Sequence, residues 1–439
     1  MSVSPQRRQE VLDALRRGTV PQRGLDLLAV GLERFEPAVG QELETAAKGA
    51  GVFKALRGEY GSGKTFFARW LCERARRRSF ATAEVQISET ETPLHRLETV
   101  YRRLIERLAT SAHPSGALRG ILDAWFFTLE QDVLAEGEID EQDGAALLAR
   151  SHDLMERRLA DISRSAPAFA AALRGYREAT AAGRTDIAEG LLAWIGGQPN
   201  VSAEAKRAAK IKGEIDHFGA LSFLQGLLVV LRDSGHPGLV VVMDEVETLQ
   251  RVRGDVRDKG LNALRQLLDE IDAGRFPGLY LLITGTPAFF EGPMGVQRLP
   301  PLAQRLQVDF ATDARFDNPR AVQIRLRNFD LEGLEELGRR VRDLQAEASP
   351  AAERLRALAS DVYLSDLARA IAGELGGKVG IAPRLFLKKL VADVLDRIEQ
   401  FPDFDPRQHY ALTVNAAELT REEQGARGAV DPEDVELEL

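Results

Sequence analysis

Apolar positions first recur at helical spacing near the start of the chain. Val11, Leu12 and Leu15 share one face of a segment opened by Ser4 and Pro5 and closed by Gly18. A second amphipathic helix is expected from Pro37 to about Lys48. The pattern then changes period. Gly51–Leu56 is a short apolar run of strand length, followed by a glycine-rich loop and a helix from Lys64 to about Arg77. Ala81–Ile87 predicts the next strand, and Thr92-Pro93 opens a helix with Leu94, Leu97, Tyr101, Leu104 and Leu108 at helical spacing. From about 110 to 215 the periodicity is helical, with Trp125, Phe126, Phe127, Leu147, Leu148, Leu191 and Trp194 as core candidates. Pro114, Pro167 and Gly196–Pro199 interrupt it. Strands return at Gly238–Glu245 and Leu279–Thr286, continuous apolar runs of the kind buried on both faces of a parallel sheet. A helix, Asp258–Ile271, lies between them, and beyond Phe310 the chain reads as helical to about Gln400.

Strands alternating with helices imply an α/β fold with a doubly wound parallel sheet. The expected organisation is an N-terminal helical segment (1–50), an α/β core (51–310) carrying a large helical insertion (110–215), a C-terminal helical lid (311–400) and an acidic tail (401–439). No run approaches the roughly 18–20 apolar residues that span a bilayer, and the polar N-terminus does not resemble a signal peptide. A single cysteine, Cys72, excludes an internal disulfide framework and a cysteine-based metal site. The cytoplasm is the expected compartment, with no membrane partner. The net charge of −9 gives no global attraction to a polyanion, although local basic surfaces remain compatible with it.

The loop after the first strand reads Gly58-Glu59-Tyr60-Gly61-Ser62-Gly63-Lys64-Thr65, with Phe66 following, and matches G-x-x-x-x-G-K-[ST] in full. Its glycines allow consecutive backbone N–H groups to point at phosphate oxygens, and the helix that follows aims its positive end at the same place. Lys64 is expected to reach the β- and γ-phosphates of ATP, and Thr65 to offer its hydroxyl to Mg2+. Glu59 belongs to this nucleotide-binding loop; a carboxylate beside phosphates is electrostatically unfavourable, and its side chain can point outward. The apolar strand Leu239–Met243 ends in Asp244 and Glu245, a Walker B form. Asp244 would orient the Mg2+, and Glu245 would act as general base on the attacking water. Glu247, two residues on, is a weaker candidate base.

The next strand ends in Thr284-Gly285-Thr286, where either threonine is a candidate sensor of the γ-phosphate. Transition-state charge also calls for a cation. Arg305 is the first candidate and Arg298 the second, each acting within the chain or on a neighbour, and Arg384 of Gly380–Arg384 is a candidate second sensor from the lid. The six histidines show no metal-ligand spacing.

The chain resembles the BREX-type ATP-binding proteins of bacterial anti-phage defence islands, the BrxD-like branch in particular, which are AAA+-like P-loop ATPases. The resemblance rests on Leu15–Pro21 with Gly24 beyond it, on Gly58–Thr65 with Phe66-Phe67, on Asp244–Leu249, and on Ile283–Phe290. It implies an AAA+-like P-loop NTPase fold, a homo-oligomer, and work beside an Lhr-like helicase or another defence-complex protein, with DNA engaged directly or through that partner. Two other readings remain open: a STAND-like nucleotide-dependent signalling switch, and a non-hydrolysing ATP-binding scaffold.

Overall fold

The computed structural model describes residues 3–137, 142–160, 164, 166–374, 383–414 and 419. The expected tail from 415 onward, Leu419 apart, and Gly380–Ala382 of the lid motif lie outside the described residues.

Five strands form one parallel sheet: β1 (Val52–Arg57), β2 (Ala81–Gln86), β3 (Leu239–Asp244), β4 (Leu279–Gly285) and β5 (Gln323–Arg325), in the order β2-β3-β4-β1-β5. Every residue of β3 and β4 is buried, as their unbroken apolar runs require. The register aligns the carboxyl ends: Gln86 stands beside Asp244, and Leu56 beside Thr284. β5 corrects the expectation of helix throughout the chain beyond Phe310. It has one apolar residue, Ile324, so no period marks it, and pairing with β1 alone makes it a strand.

Side chains alternate between the two faces of the sheet. On one face Leu56, Val240, Val242, Tyr280, Leu282 and Ile324 pack against helices α2 (Glu36–Ala47) and α3 (Lys64–Arg77). On the other, Ala55, Val241, Met243, Leu281 and Ile283 join a core shared with α4 (Leu97–Glu106) and, among the described residues, six further helices. These are α5 (Leu118–Ala135), α6 (Gly144–Arg158), α7 (Pro167–Ala181), α8 (Thr185–Ile195), α9 (Ala203–Ala208) and α10 (His217–Asp233). The helical stretch between β2 and β3 therefore buries its aromatics in the same core as the sheet. Phe169 and Trp194 both meet Phe223 edge-on, at 5.0 and 5.4 Å between centroids. Phe127, expected in that core, is exposed. The helix expected to open at Thr92-Pro93 begins at Leu97, and the one expected at Asp258 begins at Gly254 as α11 (Gly254–Asp272).

Beyond the sheet, α12 (Leu331–Ala346), α13 (Ala352–Leu358), α14 (Asp361–Glu374) and α15 (Pro383–Lys388) build a third core. Helix α1 (Pro5–Arg16) belongs to it: Val11, Leu12 and Leu15 pack with Leu337, Phe386 and Leu390. Arg16 makes a two-pronged pair with Asp396, at 2.6 and 2.9 Å. The first fifty residues are thus divided, with α1 in the C-terminal helical body and α2 on the sheet. The chain between them, residues 17–35, crosses the carboxyl edge of the sheet.

Candidate nucleotide site

The loop between β1 and α3 takes its shape from its glycines. Gly61 and Gly63 have φ of 79° and 92°, the left-handed region that a side chain would strain. At Gly58 a Cβ would run into the Ser62 hydroxyl, which would have to move to make room. That hydroxyl is buried and has no hydrogen-bond partner among the described residues. Glu59 is exposed. Lys64, the first residue of α3, curls back over the loop and donates to the carbonyls of Gly58 (2.9 Å) and Glu59 (3.1 Å). The Tyr60 ring lies 5.1 Å from its ammonium. Burial lowers the Lys64 pKa, opposed by the charges of Glu247, Asp244, Glu59 and Glu245.

Strand alternation sends Asp244 and Thr284 to the same face as α3, and there they meet Thr65. The Thr65 hydroxyl donates to one Asp244 oxygen at 2.9 Å, and the Thr284 hydroxyl donates to the other. Thr284 also accepts from the backbone N–H of Glu245 at 3.1 Å. Glu245 sits at φ 61°, unusual for a residue with a side chain, and turns its carboxylate to accept from Gln86 Nε2 at 3.0 Å. Glu247 follows in a short 3-10 turn, Val246–Gln250, only 4% exposed. Its carboxylate is 3.9 Å from the Lys64 ammonium, and neither oxygen meets a hydrogen-bond partner from another residue among those described. Burial pushes the Glu247 carboxyl up to about 7; Lys64 and its own backbone amide pull the other way, while Asp244 and Glu245 add to the rise.

These groups floor a cavity of about 1030 Å³, at the upper end of the roughly 300–1,000 Å³ typical of small-molecule sites. Its roof is the crossing chain: Thr19, Val20, Pro21, Leu28 and Val30. Phe329, Leu337, Arg384 and Leu387 close it from the C-terminal body. The crossing chain is pinned to α3, where Glu73 accepts the backbone N–H of Gly24 (3.1 Å) and Leu25 (2.8 Å), and Arg69 donates to Val20 O (2.7 Å). Arg34 ties it to the end of β5 through the carbonyl of Arg325 at 2.8 Å. The cavity is therefore apolar at one end and lined with charge and loop amides at the other. Thr65 and Asp244 are hard oxygen donors side by side, the chemistry that suits Mg2+.

Of the other candidates, Arg384 lines the cavity and Thr284 reaches its floor through Asp244. Thr286 is buried at the start of the short helix Pro287–Glu291 and does not line the cavity. Arg305 and Arg298 are also absent from its walls. Arg305 is ion-paired with Asp269 (2.6 Å) and Asp272 (3.2 Å), and Arg298 with Asp258. Both arginines are thus paired with carboxylates of α11 and lie outside the cavity lining. The sequence reading missed Gln86, Arg251 and the crossing chain as a wall, and it ranked Glu247 low. Gln86 carried a usable signal, a polar residue at the carboxyl end of a parallel strand, where ligands of α/β folds bind.

No helix among the described residues is long and apolar enough to cross a membrane. A family model described as BREX system ATP-binding protein BrxC/D matches residues 3–414. No curated protein matches the chain.

Proposed function

This chain belongs to the family of BREX system ATP-binding proteins BrxC/D, and we propose that it is an AAA+-like ATPase of anti-phage defence that binds and hydrolyses ATP with Mg2+. The observation that carries the reading is the Asp244 carboxylate, held on one oxygen by Thr65 of the loop and on the other by Thr284 of the intervening strand. A strand between the P-loop strand and the Asp-Glu strand, bearing a polar residue at its end, is the arrangement expected of an AAA+-type sheet.

In this reading the loop amides and Lys64 bind the phosphates, and Thr65 and Asp244 hold the Mg2+. That ion supplies charge neutralisation on the phosphate oxygens. Glu245 accepts the proton of the attacking water, which requires that its carboxylate leave Gln86. Arg384 meets the phosphates from the helical body. Arg305 or Arg298 would act only on a neighbouring copy in a homo-oligomer, after leaving its own aspartates. The work done is on DNA, directly or by loading a partner helicase. The Gln86 bond to Glu245 supports a second reading, a nucleotide-dependent signalling switch in which turnover is rare.

The test is ATP hydrolysis by the purified protein, with and without single- and double-stranded DNA. DNA-stimulated turnover abolished by Lys64→Ala and by Glu245→Gln is the expected result. Tight ATP binding without turnover under any DNA would remove the motor reading and leave the switch.

A further inference from the structure

A phosphate site has no evident use for a buried carboxylate, yet Glu247 supplies one. Desolvating an ionised carboxyl is unfavourable unless it is paired or hydrogen-bonded, and no other residue among those described hydrogen-bonds to it. Its nearest cation is Lys64 at 3.9 Å, the residue assigned above to the phosphates. Lys64 itself spends its donors on the Gly58 and Glu59 carbonyls rather than on Glu247. One ammonium therefore faces two anionic claimants: a carboxylate fixed by the fold and the phosphates of a ligand.

Glu247 does not share the role of its neighbours. Asp244 is held by two hydroxyls and Glu245 by Gln86, so each already has an orientation. Glu247, in the 3-10 turn that carries the chain away from β3, has only its own backbone amide and the Lys64 charge to orient it. A carboxylate so placed favours the empty site by attracting Lys64 and disfavours the filled one by repelling phosphate oxygens. Both effects act in the same direction on affinity.

We infer that Glu247 is a positioning residue that acts through Lys64, a built-in counter-anion competing with the nucleotide's phosphates and keeping nucleotide binding reversible. The inference rests on the phosphate-site reading of Gly58–Thr65. It assigns to Glu247 no contact with the reacting atoms. Its signature is that the effect depends on the phosphates carried by the ligand and not on the base.

The experiment compares binding of ATP, ADP and adenosine to the full chain at pH 8, where the Glu247 carboxyl is ionised, by competition against a fluorescent ADP analogue, in wild type, Glu247→Gln and Lys64→Ala. Glutamine keeps the shape and removes the charge, and a melting curve for each variant verifies folding. Glu247→Gln is expected to tighten ATP and ADP by about tenfold, as removal of a close like charge should, and to leave adenosine unchanged. Affinity for ATP and ADP that is unchanged or weaker in Glu247→Gln overturns the inference, whatever happens to turnover. An equal gain for adenosine also overturns it, because the effect is then one of packing. Lys64→Ala is read separately: if it leaves ATP and ADP binding intact, the phosphate-site reading fails and takes this role of Glu247 with it.

Discussion

The floor and the roof of the cavity are held by different means. The floor stands on four parallel strands whose ends are in register, and its side chains are fixed by hydrogen bonds between strands and the first turn of α3. The roof is a stretch of chain with two short 3-10 turns, stretched between α1 in the C-terminal helical body and α2 on the sheet. Its polar attachments are side-chain contacts from several elements: Glu73, Arg69 and Arg77 of α3, Arg7 of α1 and Arg340 of α12, with its own Arg34 reaching β5. The difference teaches where each property of the site resides. Chemistry needs groups held to within fractions of an ångström, and a sheet edge provides that. Closing over a ligand needs a wall that can move with a separate body, and α1 couples this wall to α12 and α15 through one core.

The sharpest test of that division is the loss of the floor's cation. On the proposed function, Lys64→Ala should abolish turnover, with a fall of at least about a hundredfold, because charge-assisted contacts of the lysine to phosphate would have no substitute. Steady-state hydrolysis and direct binding measure it. A Lys64→Ala protein that turns over normally would place the chemistry elsewhere than the floor.

A second test uses pH on the floor without ligand. Burial lifts the Glu247 carboxyl from 4.5 to about 7, so the folded protein holds that proton more tightly than the unfolded chain. This contribution to stability is fully present below the unfolded value and is lost as pH rises through about 7. The melting temperature of the wild type, relative to Glu247→Gln, should fall between pH 5 and 8, for a total on the order of 3 kcal/mol. A flat difference between the two proteins over that range would refute it.

Thr284→Ala removes one of the two hydroxyls on Asp244 and leaves the Glu245 N–H without its acceptor. Turnover should fall about tenfold, the size of a lost buried hydrogen bond, while Thr286→Ala stays near wild type. Equal effects at the two threonines would mean that strand register, not the Asp244 contact, is what matters.

The smallest effect belongs to the roof. Gly24 has φ 79°, and a Cβ there would lie 2.7 Å from the Val11 side chain. Gly24→Ala should displace the crossing chain, raising the apparent KM for ATP by about three- to tenfold, or roughly 1 kcal/mol. Turnover at saturating ATP should be kept. A collapse of saturated turnover would erase the distinction between floor and roof.

Much of the floor was legible because its residues are local in sequence. The P-loop occupies eight consecutive positions, and Asp244-Glu245 closes an apolar run that could only be a buried strand. Gly61, Gly63 and Lys64 therefore carried their geometry on their own. Thr284 and Thr286 did not: both close the same apolar run in the sequence, and only the β3–β4 register puts Thr284 against Asp244. Gln86 and Glu247 depended on which strands are neighbours and on what surrounds a carboxylate, which is a property of packing. The pairing of Arg305 and Arg298 was not legible either, because the aspartates that bind them lie on another helix.

The sequence by itself therefore determined the elements: the strands, the phosphate-type loop, the helix it starts and the chemistry of the strand end. Each of these is set by short-range periodicity, backbone freedom or a local motif. The tertiary structure alone decided that β5 joins the sheet, that α1 leaves the N-terminal segment for the C-terminal body, and that the chain between α1 and α2 roofs the cavity. Those outcomes depend on which apolar faces find one another across hundreds of residues, and no local pattern encodes that choice.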